Sequence, residues 1–426
     1  MRTLHPVSKG LAGNIDVPGD KSISHRAVML ASLANGTSRI DNFLDGEDCM
    51  ATLQAFRHMG VSIEKKGKQV IIEGKGASHL QEPSVPLDFG NSGTTTRLML
   101  GILSGLPFFT TIFGDQSLSS RPMDRVVKPL RKMGASIDGR GNGNYLPLSI
   151  RGKALKGIEY KMPVKSAQVK SALLLAGLFA DGETTVKEMV KSRDHTEKML
   201  KAFGADIKTE GLAATITSKT QLKATDIFVP GDISSAAFFL AAAVIVPDSE
   251  ITLRKVGLNE TRTGILDALK QMGADIEIHH EEEIGGERLG DITVRYSPLN
   301  GITIEGEIIP RLIDEIPVLA LVATQAEGKT VIRNAEELKI KETDRILAVT
   351  DVLSTLGAKI EPTEDGMIIY GKTPLYGGKI KSYHDHRIAM MGVIASLIAK
   401  DTVVLDDASS INISYPEFFQ HLQHIQ

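Results

Sequence analysis

Lys21, Ser22 and Arg26 fall within one decapeptide, Val17-Pro18-Gly19-Asp20-Lys21-Ser22-Ile23-Ser24-His25-Arg26, which joins a turn to the start of a helix. Pro18-Gly19-Asp20 is turn chemistry, with Gly19 supplying backbone freedom and an Asp or Ser able to cap the helix. Ile23, Ala27, Leu30, Ala31 and Ala34 then recur at helical spacing. At such an N-terminus the unpaired N–H groups and the positive end of the dipole favour an anion. Lys21 adds a point charge, and Arg26, one turn beyond Ser22 on the same face, adds a two-pronged clamp. A capped helix with solvated charges explains these residues equally well on their own.

Similar junctions follow along the chain. Asn91 and Gly93 lie in Gly90-Asn91-Ser92-Gly93-Thr94-Thr95-Thr96-Arg97, glycines and small hydroxyl residues ahead of an apolar helix. Ser166 and Gln168 lie in Lys165-Ser166-Ala167-Gln168-Val169-Lys170-Ser171, whose hydroxyl and amide groups could hydrogen-bond a polyol or a phosphate. Arg121 stands before Pro122, which is expected to begin a helix, and Arg193 opens Arg193-Asp194-His195-Thr196-Glu197. Asp314-Glu315-Ile316-Pro317 and Lys341-Glu342-Thr343-Asp344-Arg345 offer carboxylates for proton transfer. In His384-Asp385-His386-Arg387 the crowded histidines cannot all face one ion, and zinc spacings are absent, so neither a metal nor an organic cofactor is expected. Alone, the Asn91 and Ser166 segments read about as well as helix caps, Arg121 reads as a solvated arginine and the acidic segments as solvated charge runs. Together, Lys21, Arg26, Arg121, Arg193, Lys341, Arg345 and Arg387 occupy equivalent junctions of a repeated unit, which points to one cation-lined cleft supplied with carboxylates.

The repetition itself is explicit. A helix ending in a large apolar residue, then Gly, a small residue and an alternating strand, occurs at Met59-Gly60, Met133-Gly134, Phe203-Gly204, Met272-Gly273 and Leu356-Gly357. Upstream of each lies a β-branched strand and an irregular polar segment, and Thr402 to Phe419 supplies a sixth half-unit. At larger scale, Val229-Pro230-Gly231-Asp232-Ile233-Ser234-Ser235 echoes Val17 to Ser22. The expectation is an α/β protein of two three-unit lobes, with crossovers near 18–20 and 230–232. One lobe would comprise 1–18 and 232–426, so that the N-terminal strand returns to it, and the other 19–231, with the active site in the cleft between them.

A chain of 426 residues with 42% hydrophobic and 24% charged residues has ample core for two domains. The formal net charge of −3 argues against a nucleic-acid binder, and no apolar run reaches the roughly 20 residues that span a bilayer. The N-terminus lacks an apolar signal core, and the single cysteine, Cys49, reads as a packed thiol in a helix. A cytoplasmic monomer is expected.

With these segments assembled, the whole chain resembles the 5-enolpyruvylshikimate-3-phosphate synthase family, the enolpyruvyl transferases of the shikimate pathway. The resemblance rests on the decapeptide, on Gly90 to Thr94 followed by Arg97, on Ser120-Arg121-Pro122-Met123-Asp124-Arg125, on Ser166 to Lys170, and on the Asp314, Lys341 and Asp385 segments, in the family's order. It implies a two-lobed inverse α/β barrel of six βαβαββ repeats and transfer of the carboxyvinyl group of phosphoenolpyruvate to the 5-hydroxyl of shikimate 3-phosphate. By resemblance, Lys21, Arg121, Arg345 and Arg387 hold phosphoenolpyruvate, with Asn91, Gly93 and Gln168 nearby. Lys21, Ser22, Arg26, Ser166, Gln168, Arg193, Asp314 and Lys341 hold shikimate 3-phosphate. Asp314 would accept the hydroxyl proton, and Glu342 with Lys21 would manage proton delivery and return.

Leu98 stands where many members have Pro, and Ser410 to Pro416 lacks a Lys often found there. Ser166 to Lys170, Arg193 to Glu197 and Asn259-Glu260-Thr261-Arg262 look like the variant class associated with glyphosate tolerance, although Gly93 stands where some tolerant members carry Ala. Glyphosate is thus expected to compete with phosphoenolpyruvate, with partial tolerance. Two alternatives are an enolpyruvyl transferase acting on a nucleotide sugar, which would use a loop cysteine unlike Cys49, and a non-catalytic anion-binding protein, which would gain nothing from Asp314 and Glu342.

Overall fold

The computed structural model describes residues 1–218 and 221–426. The chain divides into two compact units: Met1–Pro18 with Pro230–Glu283 and Arg288–Gln426, and Gly19–Val229 with Ile284–Glu287. The chain thus passes between units at 18/19 and at 229/230, and again on either side of the short segment Ile284–Glu287. Pro230 and Gly231 group with the first unit, not with residues 19–229, because the Gly231 N–H bonds the Lys255 carbonyl. Each unit has its own hydrophobic core.

Each full repeat runs as strand, buried helix, strand, outer helix and hairpin. Five four-stranded sheets share one order, in which a short or swapped strand pairs in parallel with a longer one that the hairpin then joins antiparallel. A sixth sheet is three-stranded: Gly378–Ile380 pairs in parallel with Val403–Leu405, and Arg2–Leu4 pairs antiparallel to the latter. The echo near residues 18 and 230 marks an exchange of strands. Ala12–Ile15 pairs with Glu250–Gly257, and Ile227–Phe228 pairs with Asn35–Asp41.

The buried helices are Lys21–Leu33, Gly93–Gly105 and Ala167–Gly177 in the second unit, and Ile233–Ile245, Ile316–Thr324 and His386–Leu397 in the first. They are apolar on nearly every face, as a helix enclosed by sheets and other helices must be. Every residue of Ile316–Thr324 is buried. The outer helices, such as Asp124–Lys132, are amphipathic and bury one side.

Five helix ends repeat one device. At Gly60, Gly134, Gly204, Gly273 and Gly357 φ lies between 83° and 103°, and the following N–H reaches back to close the last helical turn, as Val61 does to Phe56 and Ala358 to Leu353. That left-handed residue is where Gly is needed. Gly19 is needed for another reason: a Cβ there would sit 2.0 Å from the Asn42 carbonyl oxygen, so close approach, rather than the freedom expected of a turn, excludes a side chain.

Candidate active site

In each unit the candidate residues gather at helix starts, but at two junctions of the repeat and not one: Lys21, Gly93, Ser166, Asp314 and Arg387 lie by buried helices, and Arg121, Arg193, Lys341, Glu342 and Arg345 by outer ones. In the second unit Asp20 caps Lys21–Leu33, its carboxylate accepting from the Ile23 N–H at 2.9 Å, and Asp232 caps the corresponding helix Ile233–Ile245 of the first unit. The shared turn is therefore structural, and Lys21 is the addition. Lys21 Nζ lies 3.0 Å from Asp48 Oδ2, in the first turn of the helix Glu47–His58. Ser22 stays partly exposed beside it.

Arg26 turns inward. Its Nε donates to Thr196 Oγ1 at 2.7 Å, Nη2 to Ser171 Oγ at 2.8 Å and Nη1 to the Ser22 carbonyl at 2.9 Å, so it ties three segments together. His25 is fully buried, with Nδ1 2.7 Å from Thr52 Oγ1. Burial, reinforced by Lys21 and Arg26, holds its pKa well below the ordinary imidazole value, so it is neutral in the folded protein.

Ser92 caps the helix Gly93–Gly105 by accepting from the Thr95 N–H, leaving Gly93 as the first helical residue. A Cβ on Gly93 would lie 3.0 Å from Arg97 Nη1 and 3.5 Å from Arg121 Nη1. Arg97 Nη1 donates to Gln168 Oε1 at 2.7 Å, and Gln168 Nε2 donates to Thr94 Oγ1 at 3.0 Å. Arg121 Nη2 donates to Asn91 Oδ1 at 2.6 Å, while Asn91 Nδ2 donates to Asp115. Asn91, Gly93, Arg121 and Gln168 are thus one cluster, with Arg97 at its centre. Pro122 does not begin a helix; Arg121 ends the short helix Gln116–Ser120, and the next helix begins at Asp124 because Met123 anchors to the Asn144 carbonyl. Ser166 is the N-cap of Ala167–Gly177, and Arg193 is half-buried in the segment before His195–Ala202.

In the first unit Arg345 organises the charges. Its Nε and Nη2 grip Asp385, its Nη2 lies 2.6 Å from Glu342 Oε2, and its Nη1 lies 3.3 Å from Asp314 Oδ1. Burial opposes the guanidinium charge, but Asp385, Glu342 and Asp314 outweigh it and raise the pKa. Lys341 Nζ reaches the same Asp314 oxygen at 3.2 Å. Arg387 Nη1 stands 3.8 Å from Glu315 Oε1, a carboxylate that also accepts from Ser234 Oγ, itself held by Arg262. Asp344 accepts from the N–H groups of Ile346 and Leu347 and is a helix cap. His384 is exposed and His386 buried, while Asp385 between them caps a helix, so this run is no ligand cluster. Among the described residues no three His, Cys, Asp or Glu side chains group as a metal would require.

Asp48, Arg97, Glu315 and Asp385 were not among the sequence-assigned site residues. Each lies at or near a helix start: Asp48 in Glu47–His58, Arg97 in Gly93–Gly105, Glu315 before Ile316–Thr324 and Asp385 before His386–Leu397. What was missing is that a charge at the edge of a buried helix bundle needs a counter-charge. Cys49 is buried with its thiol toward the Lys21 carbonyl, as expected of a packed residue. Among the described residues no helix is long and apolar enough to cross a membrane.

The family described as EPSP synthase (3-phosphoshikimate 1-carboxyvinyltransferase) matches residues 7–422. The 3-phosphoshikimate 1-carboxyvinyltransferase of Oceanobacillus iheyensis is 62% identical over 422 residues, 99% of this chain and 98% of that protein. That of Bacillus pumilus is 58% identical over 414 residues, 97% of each. An EPSP synthase structure from Acinetobacter baumannii matches with a TM-score of 0.90 at 47% identity, over 99% of this chain and 97% of that one. The enolpyruvyl transferase NikO from Streptomyces tendae, 19% identical, shares the fold with a TM-score of 0.81 over 99% of this chain and 96% of its own. These similarities span the repeats of both units, and the chain belongs to the EPSP synthase family.

Proposed function

We propose that this chain transfers the carboxyvinyl group of phosphoenolpyruvate to the 5-hydroxyl of shikimate 3-phosphate, releasing phosphate. In the addition step the hydroxyl oxygen bonds to C2 of phosphoenolpyruvate, the hydroxyl proton leaves to a base and C3 gains a proton. In the elimination C3 returns a proton and the bond from C2 to the phosphate oxygen breaks. Both substrates are anions, so the site must combine fixed cations with groups that exchange protons.

Asp314 carries the reading. It is a carboxylate whose one oxygen is shared by Lys341 and Arg345, at the start of a buried helix, where an anion-binding protein would gain nothing from it. We assign it to accept the hydroxyl proton. Glu342 with Lys21 would deliver and recover the proton at C3. Lys21, Arg121, Arg345 and Arg387 would hold phosphoenolpyruvate, with Asn91, Gly93 and Gln168 at its edge. Ser22, Arg26, Ser166, Gln168, Arg193 and Lys341 would hold shikimate 3-phosphate together with Lys21 and Asp314. The inward hydrogen bonds of Arg26 suit it to orient Ser22 and Thr196. Glyphosate would compete with phosphoenolpyruvate beside Gly93, whose missing methyl leaves Arg97 and Arg121 uncrowded. The buried Cys49 fits neither a nucleophile nor a proton donor of a nucleotide-sugar enzyme.

The test is phosphate release from phosphoenolpyruvate with and without shikimate 3-phosphate. Release only with both substrates supports the reading; release that ignores the second substrate, or none with both, overturns it.

A further inference from the structure

Lys170 is an unusual residue to find inside a protein core. It lies on the buried helix Ala167–Gly177, is 1% exposed, and places Nζ 2.9 Å from Glu188 Oε2 and 2.6 Å from Glu197 Oε1, both also buried. Buried ion pairs are poor sources of stability, because desolvation offsets the attraction and well-packed apolar residues serve as well or better. What such a pair does supply is fixed geometry. Burial opposes the Lys170 charge, and Glu197 and Glu188 outweigh it and raise its pKa, so the ammonium is charged, while burial pushes the Glu197 carboxyl up and Lys170 offsets this only in part.

The two glutamates bracket one segment. Glu188 follows the strand Glu183–Lys187, and Glu197 lies in the first turn of the helix His195–Ala202; between them residues 188–194 have no regular structure. Arg193 belongs to this segment. Its neighbour Ser192 donates its hydroxyl to the other oxygen of Glu188, and Thr196 bonds Ser171 Oγ at 2.7 Å, one residue beyond Lys170. A loop that would otherwise carry Arg193 on mobile backbone is tied at its beginning, beside Arg193 and at its end to the helix whose first turn carries Ser166 and Gln168.

We propose that Lys170 is a positioning residue for shikimate 3-phosphate: by holding Glu188 and Glu197 it fixes the loop that presents Arg193 relative to the helix that presents Ser166 and Gln168. The inference rests on the assignment of Arg193, Ser166 and Gln168 to that substrate above. It predicts an effect on one substrate and not the other, since Lys170 tethers nothing assigned to phosphoenolpyruvate alone.

The test is steady-state kinetics with each substrate varied in turn. The variant is Lys170→Met combined with Glu188→Gln and Glu197→Gln, which removes the clamp without leaving a buried charge unpaired. Its urea midpoint should equal or exceed that of the natural chain, while KM for shikimate 3-phosphate rises about tenfold and kcat and KM for phosphoenolpyruvate move less than about twofold. Ser192→Ala, which removes one tether and no charge, should raise the same KM by about threefold and gives a reading even if the triple variant does not fold. An unchanged KM for shikimate 3-phosphate in both, or an equal rise for both substrates, overturns the proposal. Arg193→Ala separates the two layers. If it raises KM for shikimate 3-phosphate while the clamp variants do not, Lys170 alone loses its role; if it leaves that KM unchanged, the assignment of Arg193 falls and the proposal with it.

Discussion

The guanidinium of Arg345 grips the carboxylate of Asp385 through Nε at 2.8 Å and Nη2 at 3.3 Å, with both side chains buried. Asp385 also accepts from the Arg387 N–H at 2.8 Å, so it caps one helix while anchoring the first residue of another. Asp385→Asn keeps a capping side chain and removes the ionic grip. Because Glu342 and Asp314 still compensate Arg345, the loss should be that of a charged hydrogen bond, about 1.5–3 kcal/mol. Arg345→Met removes the buried cation that Asp385, Glu342 and Asp314 share and should cost more, about 3–5 kcal/mol. Urea denaturation of the two variants checks the order; a reversed order would refute this account of the cluster.

Proton transfer should separate from binding at Glu342. Glu342→Gln keeps size and hydrogen bonding toward Arg345 but cannot carry a proton, so kcat should fall by about 10²–10⁴ with both KM values nearly unchanged. Lys21→Ala removes charge and proton carrier together, and turnover should be lost. Steady-state rates decide, and wild-type turnover in Glu342→Gln would remove it from the chemistry.

Gly93 should discriminate between ligands. Its missing methyl would press on Arg97 Nη1 at 3.0 Å, and Arg97 is held by Gln168, so the guanidinium has little room to yield. Gly93→Ala should raise KM for phosphoenolpyruvate roughly tenfold while leaving that for shikimate 3-phosphate near its starting value. It should raise the glyphosate inhibition constant by at least as much. Competition assays against phosphoenolpyruvate measure both, and a KM shift confined to shikimate 3-phosphate would contradict the placement of Gly93.

His25 sets a pH dependence of stability. Its folded pKa is pushed well below 6.5 by burial, then by Lys21 and Arg26. The unfolded chain therefore takes up the proton first, and protonation favours unfolding. The contribution of neutral His25 is complete above about pH 6.5 and is lost as pH falls toward the folded value, by up to about 1.4 kcal/mol per pH unit. Urea midpoints of the natural chain and His25→Gln should diverge in slope as pH drops below about 6.5, and parallel slopes would count against the assignment.

The local devices of this fold are written in local sequence. The Gly after each outer helix, the Asp20 and Asp232 caps and the continuous apolar runs of the inner helices depend on neighbours within a few residues, so the repeat could be read directly. Many cations of the candidate site were equally legible, because they sit at helix starts, although at two different junctions of the repeat: Lys21 and Arg387 at buried helices, Arg121, Arg193 and Arg345 at outer ones. The pairings were not. Lys21 meets Asp48, Arg97 meets Gln168, Arg345 meets Asp385 and Lys170 meets Glu188 and Glu197 across distances in sequence that no periodicity spans. Arg26, read from the sequence as a clamp for an anion, also ties its helix to Thr196 and Ser171, because facing a ligand and facing a neighbouring helix use the same helical spacing. The sequence alone determined which residues begin each buried helix; tertiary packing decided which charges neutralise one another there, since a buried charge takes its partner from whichever segment the fold brings beside it.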